Sequence, residues 1–352
     1  MGWLTGILAV VVLFGAMISL HELGHFLVAR LARMRVHEYA LGFGPALASF
    51  RWGDTRYSLR LFPLGGFVRI AGLEPGEDVP DGFDKKPVPS RMATIAAGSF
   101  MNLAMAALIL AVIAYFFSLA TTTRIEALEP PEGPAAQAGL RPGDWLVGVN
   151  RRVAADDVEA FQRVIAASPG KPLRLHIMRR GRLLSVEVVP EELPISGSAS
   201  KRARIGVRFS AVPQYVSPAR ALLAGAQETY RVSIFMFVYV GKMITGKEKR
   251  DVAGPVGVTQ LIVQEAKKGL LSYLSLAALI TINVAWINLL PIPALDGSRL
   301  LFLLLEVVRR RPLDKRKEAL VHLIGFALII GLVLLVTYYD LLRIRSGRPI
   351  GG

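Results

Sequence analysis

Apolar runs of span length set the first limit on what this chain can become. A helix that crosses a bilayer needs about 20 apolar residues, because the hydrocarbon core is about 30 Å thick and its backbone must bond internally. Three stretches reach that length, at 4–32, 94–119 and 318–343. A fourth, 271–296, is long enough but carries Asn283, Asn288, Pro291 and Pro293. It reads as a span whose far end is unwound, since proline removes a helical donor and clashes with the preceding turn. The expected fold is therefore a polytopic α-helical membrane protein with four transmembrane helices. The first run has neither a basic start nor a small-residue cleavage site, and it continues past His21. It reads as a retained helix rather than a signal peptide.

The connecting segments differ in character. Residues 36–72 mix Gly and Pro with β-prone pieces such as "YSLRLFPLGGFVRIAG", which predicts β-hairpins. Residues 73–90 form a loop. Residues 122–210 read as a soluble unit, with a hairpin around Arg180 and Gly181. Residues 217–268 hold a dozen apolar residues and then meet Lys242 and the charged "KEKRD". That is short for a span and predicts amphipathic helices on the membrane surface. The chain has no cysteine, which excludes disulfides, zinc ribbons and thiol nucleophiles.

The net charge of +15 matters through its placement. Residues 30–91 carry ten Lys and Arg, from Arg30 to Arg91 inclusive, and the connector at 309–317 reads "RRRPLDKRK". Basic residues beside spans mark cytoplasmic segments, so both stretches are expected inside. The unit at 122–210 and both termini are then expected outside, although Arg343, Arg345 and Arg348 oppose this. Basic residues that flank spans do not make a nucleic-acid surface.

One span contains "HELGH" at 21–25. His21 and His25 are four residues apart and share a helix face. That spacing can hold one zinc ion with Glu22 beside it as general base, and a bound cation offsets the cost of keeping these groups in a membrane. A catalytic zinc usually has three protein ligands. Asp296 in "NLLPIPALDG" is the favoured third, because it sits where the prolines prevent regular helix and irregular backbone at membrane depth lines cavities. The same carboxylate also suits a helix N-cap for 297–308. His322 reads instead as a packed or hydrogen-bonded residue. His21 lies about 27 Å into its span at 1.5 Å per residue. Asp296 is comparably deep, so the two meet near the cytoplasmic side if both spans run outside to inside.

These motifs resemble the site-2 proteases, the intramembrane zinc metalloproteases, and most closely the bacterial regulator-of-sigma-E type. "HELGH" and "NLLPIPALDG" occur in the family's order, with "GFGP" at 42–45, "PLGGFVRIAG" at 63–72, "AGSFMN" at 97–102 and "GPVGV" at 254–258. The resemblance implies one zinc held by His21, His25 and Asp296, with Glu22 as catalytic base. It places Asn283 and Asn288 near the substrate. Ser99 departs from the family, which usually has proline after the preceding glycine. Residues 122–210, with "AAQAGLRPGDWLVGVN" at 135–150, resemble a PDZ domain, which implies capture of a peptide or of a pre-cleaved substrate end. The implied substrates are single-pass transmembrane proteins, such as anti-sigma factors or remnant signal peptides, cut in a bacterial inner membrane.

A helical substrate must unwind before hydrolysis. Gly65, Gly66 and Val68 are expected to lie on an edge strand that receives it, since glycine permits close backbone approach and "FVRI" favours strand. A transporter with an intramembrane metal would carry internal repeats, which the sequence lacks. A silent PDZ scaffold would have no use for a complete ligand set.

Overall fold

The computed structural model describes residues 3–345, apart from 75, 118, 151, 154–157, 195–200, 214–215 and 246–253. The charged segment at 247–251 and the C-terminal stretch with Arg348 therefore lie outside the described residues. In chain order the elements begin with α1 (Trp3–Leu31), β1 (Val36–Trp52), β2 (Thr55–Ile70) and α2 (Val88–Phe116). There follow β3 (Leu119–Leu128), α3 (Pro134–Gln137), β4 (Trp145–Val149), β5 (Arg152–Val153), α4 (Val158–Ala166), β6 (Leu173–Arg179) and β7 (Arg182–Val188). The rest are β8 (Glu191–Pro194), β9 (Lys201–Arg204), β10 (Val207–Pro213), α5 (Pro218–Ile244), α6 (Pro255–Lys268), α7 (Leu270–Leu289), α8 (Asp296–Arg309) and α9 (Lys315–Arg345). They divide into two units, one of 1–116 with 217–352 and one of 117–216.

In the first unit α1, α2, α7 and α9 are long and apolar enough to cross a membrane, so the chain is a polytopic membrane protein. The central helix is α2, which packs against α1, α5, α7 and α8. In lipid, apolar faces gain nothing by leaving solvent, and helices associate through close backbone approach. A Cβ at Gly24 of α1 would overlap the Ala97 carbonyl of α2, so this crossing needs a glycine. The base of the hairpins is fixed by Ala29, Met34, Val36, Ile70, Phe83, Ile95 and Leu303, drawn from α1, α2, α8, both strands, the turn between α1 and β1 and the loop between β2 and α2. A second cluster of Leu13, Ile262 and Ala277 joins α1, α6 and α7.

Two polar ties hold the flanking helices. Trp286 Nε1 donates to Ser233 Oγ at 2.9 Å, linking α7 to α5. The buried Asp340 of α9 accepts from the backbone N–H of Gly254 and Gly257 at 3.3 and 2.8 Å. This satisfies otherwise orphaned donors at the α6 N-terminus, where the helix dipole favours negative charge.

Residues 36–72 form more than one hairpin, as their Gly and Pro predict: residues 38–41 of β1 pair antiparallel with 66–69 of β2 and lie parallel to 56–59, which in turn pair antiparallel with 48–51. Gly42 and Gly44 adopt φ of +89° and +84° where β1 doubles back between Leu41 and Ala46, and β2 doubles back between Arg60 and Gly66. A further reversal, between the two strands, comes at Gly53 and Asp54 and is closed by the Trp52–Thr55 pair. Gly53 at φ +60° fits the first position of a two-residue hairpin turn. As the prolines predicted, α7 stops at Leu289 and irregular backbone runs to α8.

The second unit has strands in the order β10-β3-β4-β6-β7, with β5 on β4 and a separate β8–β9 pair. Its core includes Ile125, Leu146, Phe161, Ile165, Leu175, Ile177 and Ile205, and full burial of such a side chain contributes about 1.5–3 kcal/mol. The predicted turn at Arg180 and Gly181 joins β6 to β7 in register from Leu173–Val188 to Arg179–Arg182. Asp144 is buried in this core. Burial pushes its carboxyl upwards, but the Arg179 guanidinium at 2.7 Å and the Arg141 N–H at 2.8 Å outweigh that and hold it below the usual range.

Candidate metal centre

The α-helical repeat places His21 and His25 one turn apart on α1, both buried. Their rings meet edge to face with centroids 4.7 Å apart, and their Nε2 atoms are 3.1 Å apart. Asp296, the first residue of α8, brings Oδ2 to 3.0 Å from His21 Nε2 and 3.3 Å from His25 Nε2. Ligands at about 2.0–2.1 Å around a tetrahedral zinc stand roughly 3.3–3.4 Å apart. The three observed separations are close to that edge length, so the donor set fits one zinc ion. Glu22 is also near, with a carboxylate oxygen within 4.8 Å of the histidine donors. It is held apart from them by another bond, for its Oε2 accepts the backbone N–H of Val68 in β2 at 3.0 Å.

The supporting contacts fit the same ion. A histidine that ligates through Nε2 carries its proton on Nδ1 and needs an acceptor there. His25 Nδ1 lies 2.8 Å from the Thr94 carbonyl. His21 Nδ1 lies 3.4 Å from Asn102 Nδ2, while Asn102 Oδ1 is buried without a partner. Turning that amide over would present Oδ1 to His21 Nδ1–H and satisfy both groups, and the two orientations are nearly isosteric. Both acceptors come from α2. It passes so close to the histidines that a Cβ on Gly98 would stand 2.7 Å from His21 Nε2 and nearer still to His25.

The loop that carries Asp296 is fixed from α9. Ala294 adopts φ of +76°, an unfavourable conformation for a residue with a Cβ. Its N–H donates to His322 Nδ1 at 3.1 Å. His322 was expected to be packed or hydrogen-bonded, and it holds this strained residue. His37 instead approaches Glu77 at 3.6 Å. His176 sits in the second unit with Ser185 Oγ and the Asn150 carbonyl.

A cavity of about 570 Å³ opens beside the centre, lined by Glu22, His25, Val68, Asp296 and Arg299 with apolar residues including Ile70, Ile95 and Phe326. Of the residues expected at the substrate, Val68 lines it. Gly65 and Gly66 lie just along β2. Asn283 and Asn288 are half-buried on α7, outside the cavity lining. Thr94, Gly98, Asn102 and His322 carry supporting roles that sequence reading did not assign. The only local signal was the "AGSFMN" stretch.

Gly98→Ala is expected to lower bound zinc to well below one per chain while α1 and α2 remain helical, because the added methyl falls on both histidine donors. Metal analysis of the purified variant checks this, and full occupancy would contradict the assigned α1–α2 geometry.

Comparison with known proteins places this geometry in context. The model for Peptidase family M50 matches residues 9–332. The chain is 31% identical to the zinc metalloprotease RasP of Geobacillus kaustophilus, over 96% of this chain and 98% of the relative. It is 29% identical to the regulator of sigma-W protease RasP of Bacillus subtilis, over 96% and 98%. A Nostoc sp. protein is 35% identical over 93% of each chain. The histidine pair, the neighbouring carboxylates and a match across nearly the whole sequence lead to one conclusion: this chain belongs to the M50 peptidases, the site-2 protease family, and is a zinc metalloprotease.

Proposed function

We propose that the protein hydrolyses peptide bonds inside the transmembrane segments of single-pass membrane proteins. The observation that carries this reading is the convergence of His21, His25 and Asp296 beside a cavity walled by candidate spans. In this reading the two histidines and Asp296 are the zinc ligands and Glu22 is the general base. Bound zinc supplies a Lewis acid and makes water acidic enough to deprotonate near neutral pH. Glu22 takes the water's proton and returns it to the leaving amine, and the Val68 N–H aims its carboxylate. Substrates of the anti-sigma-factor or remnant-signal-peptide kind fit a relative named for regulating sigma-W.

Glu22→Gln should retain about one zinc per chain and lose turnover of a transmembrane substrate by at least about 100-fold, the scale of general-base contributions. His21→Ala and Asp296→Ala should lose the metal as well. Near-wild-type cleavage by Glu22→Gln would overturn the base assignment, and full zinc in the other two would overturn the ligand set.

The membrane orientation follows from charge. The hairpin side, with Arg30 to Arg91, and the 309–317 connector face the cytoplasm of a bacterial inner membrane. The second unit faces out, α5 and α6 lie along the membrane surface, and four helices cross. Single cysteines in this cysteine-free chain should react with an impermeant thiol reagent at residue 160 and not at 313. The reverse pattern would invert the topology. The outer unit is read as a PDZ domain, supported by a cavity of about 240 Å³ between α4 and the stretch Ala203–Val207. Such a groove takes an extended peptide by strand addition.

Substrate entry is proposed at the free edge of β2, where Gly65, Gly66 and Val68 lie, with Asn283 and Asn288 assisting on the substrate side. The Val68 N–H already serves Glu22, so a proline there would slow cleavage whether or not substrate pairs with β2. A pairing-specific test uses Arg69→Cys in the Glu22→Gln background with cysteines scanned along the substrate. Disulfide yields that peak at every second substrate position support an added strand, because side chains alternate with period two. A flat profile leaves the hairpin as a membrane anchor only.

A further inference from the structure

Arg299 is a cation with no evident structural task. It stands in the first turn of α8, where the helix dipole favours acidic residues and a positive charge is unfavourable. It is half-buried, and among the described residues its guanidinium has no hydrogen-bond or ion-pair partner. The other charged groups nearby are engaged or peripheral. Lys315 donates to Asp84 at 3.0 Å and to the Gly72 carbonyl at 3.1 Å. Glu318 lies 3.8 Å from His322 Nε2, and Glu74 is exposed at the rim. Arg299 lines the cavity beside the metal centre. It also lines a second, smaller cavity with Asp84, Phe302 and Glu306, so it stands at the partition between the two.

Its position relative to the chemistry is set by the helix. Arg299 follows Asp296 by three residues, which puts the two on one face with Cβ atoms about 5–6 Å apart. Peptide hydrolysis adds water across the C–N bond, so the amino-terminal fragment ends in a new carboxylate and the carboxyl-terminal fragment begins with an amine. Only the first is an anion. Guanidinium matches a carboxylate with two parallel N–H donors. We infer that Arg299 is the product-carboxylate site of this protease, receiving the new C-terminus of the amino-terminal fragment as it leaves the metal centre. The inference rests on the proteolytic reading given above, and it assigns Arg299 a binding role rather than a place among the ligands.

The test separates the two. A peptide with the sequence of an amino-terminal product is prepared as the free acid and as the C-terminal amide. Binding of each is measured to full-length, zinc-loaded Glu22→Gln protein in neutral detergent, with and without Arg299→Gln or Arg299→Lys. The acid is expected to bind about tenfold or more tightly than the amide, the scale of a charged hydrogen bond. Arg299→Gln should erase that preference with zinc content unchanged, and Arg299→Lys should retain part of it. Equal binding of acid and amide to the parent protein overturns the proposal. So does a preference that survives Arg299→Gln, which would place the carboxylate on the metal instead. If Arg299→Gln does not purify, the parent and Arg299→Lys comparisons decide. Failure of the proteolytic reading would appear separately, as absent cleavage by the protein with Glu22 intact.

Discussion

Everything in the first unit depends on putting polar groups where lipid would otherwise exclude them. Two imidazoles on an apolar helix need partners at both ring nitrogens, and water cannot supply them at membrane depth. The chain meets this by driving α2 against α1 at Gly24 and Gly98. That approach brings the Thr94 carbonyl and the Asn102 amide to the outer ring nitrogens and leaves the inner ones facing Asp296. Wider spacing between these helices would strand two histidines in hydrocarbon, so the tight crossing is a condition of the site as much as a mode of packing.

The hairpin links the site to the segment expected to receive substrate. Residues 66–69 of β2 pair with residues 38–41 of β1, and the N–H of Val68 reaches the carboxylate of Glu22, the base in the proposed mechanism. Strand and base are thus parts of one arrangement. Anything that shifts this part of β2 is transmitted to Glu22 through a single backbone bond.

What could be read in advance was local. The spacing of His21, Glu22 and His25 is a property of one helix, and the break before Asp296 is dictated by Pro291 and Pro293 within one segment. The family match and the four spans rest on equally local patterns. The supporting residues are different, because Thr94 and Asn102 lie 69 and 81 residues from the histidines they face. No periodicity within either helix specifies which residue of α2 will stand opposite which residue of α1. The β-hairpins between α1 and α2 were legible because they are local, with Gly42, Gly44 and Gly65 marking reversals within one continuous segment.

The bond between His322 and Ala294 gives the metal centre a wider genetic footprint than its ligands. His322 bonds to Ala294 and belongs to the candidate span that is least enclosed by protein. Yet it stabilises the strained residue two positions before Asp296. In a screen for lost proteolysis, substitutions at His322 would cluster with those at the histidines of α1, although they lie at the opposite end of the chain. An assignment of function from inactive alleles alone would count His322 among the metal-binding groups, when its contribution is to set the backbone from which Asp296 projects.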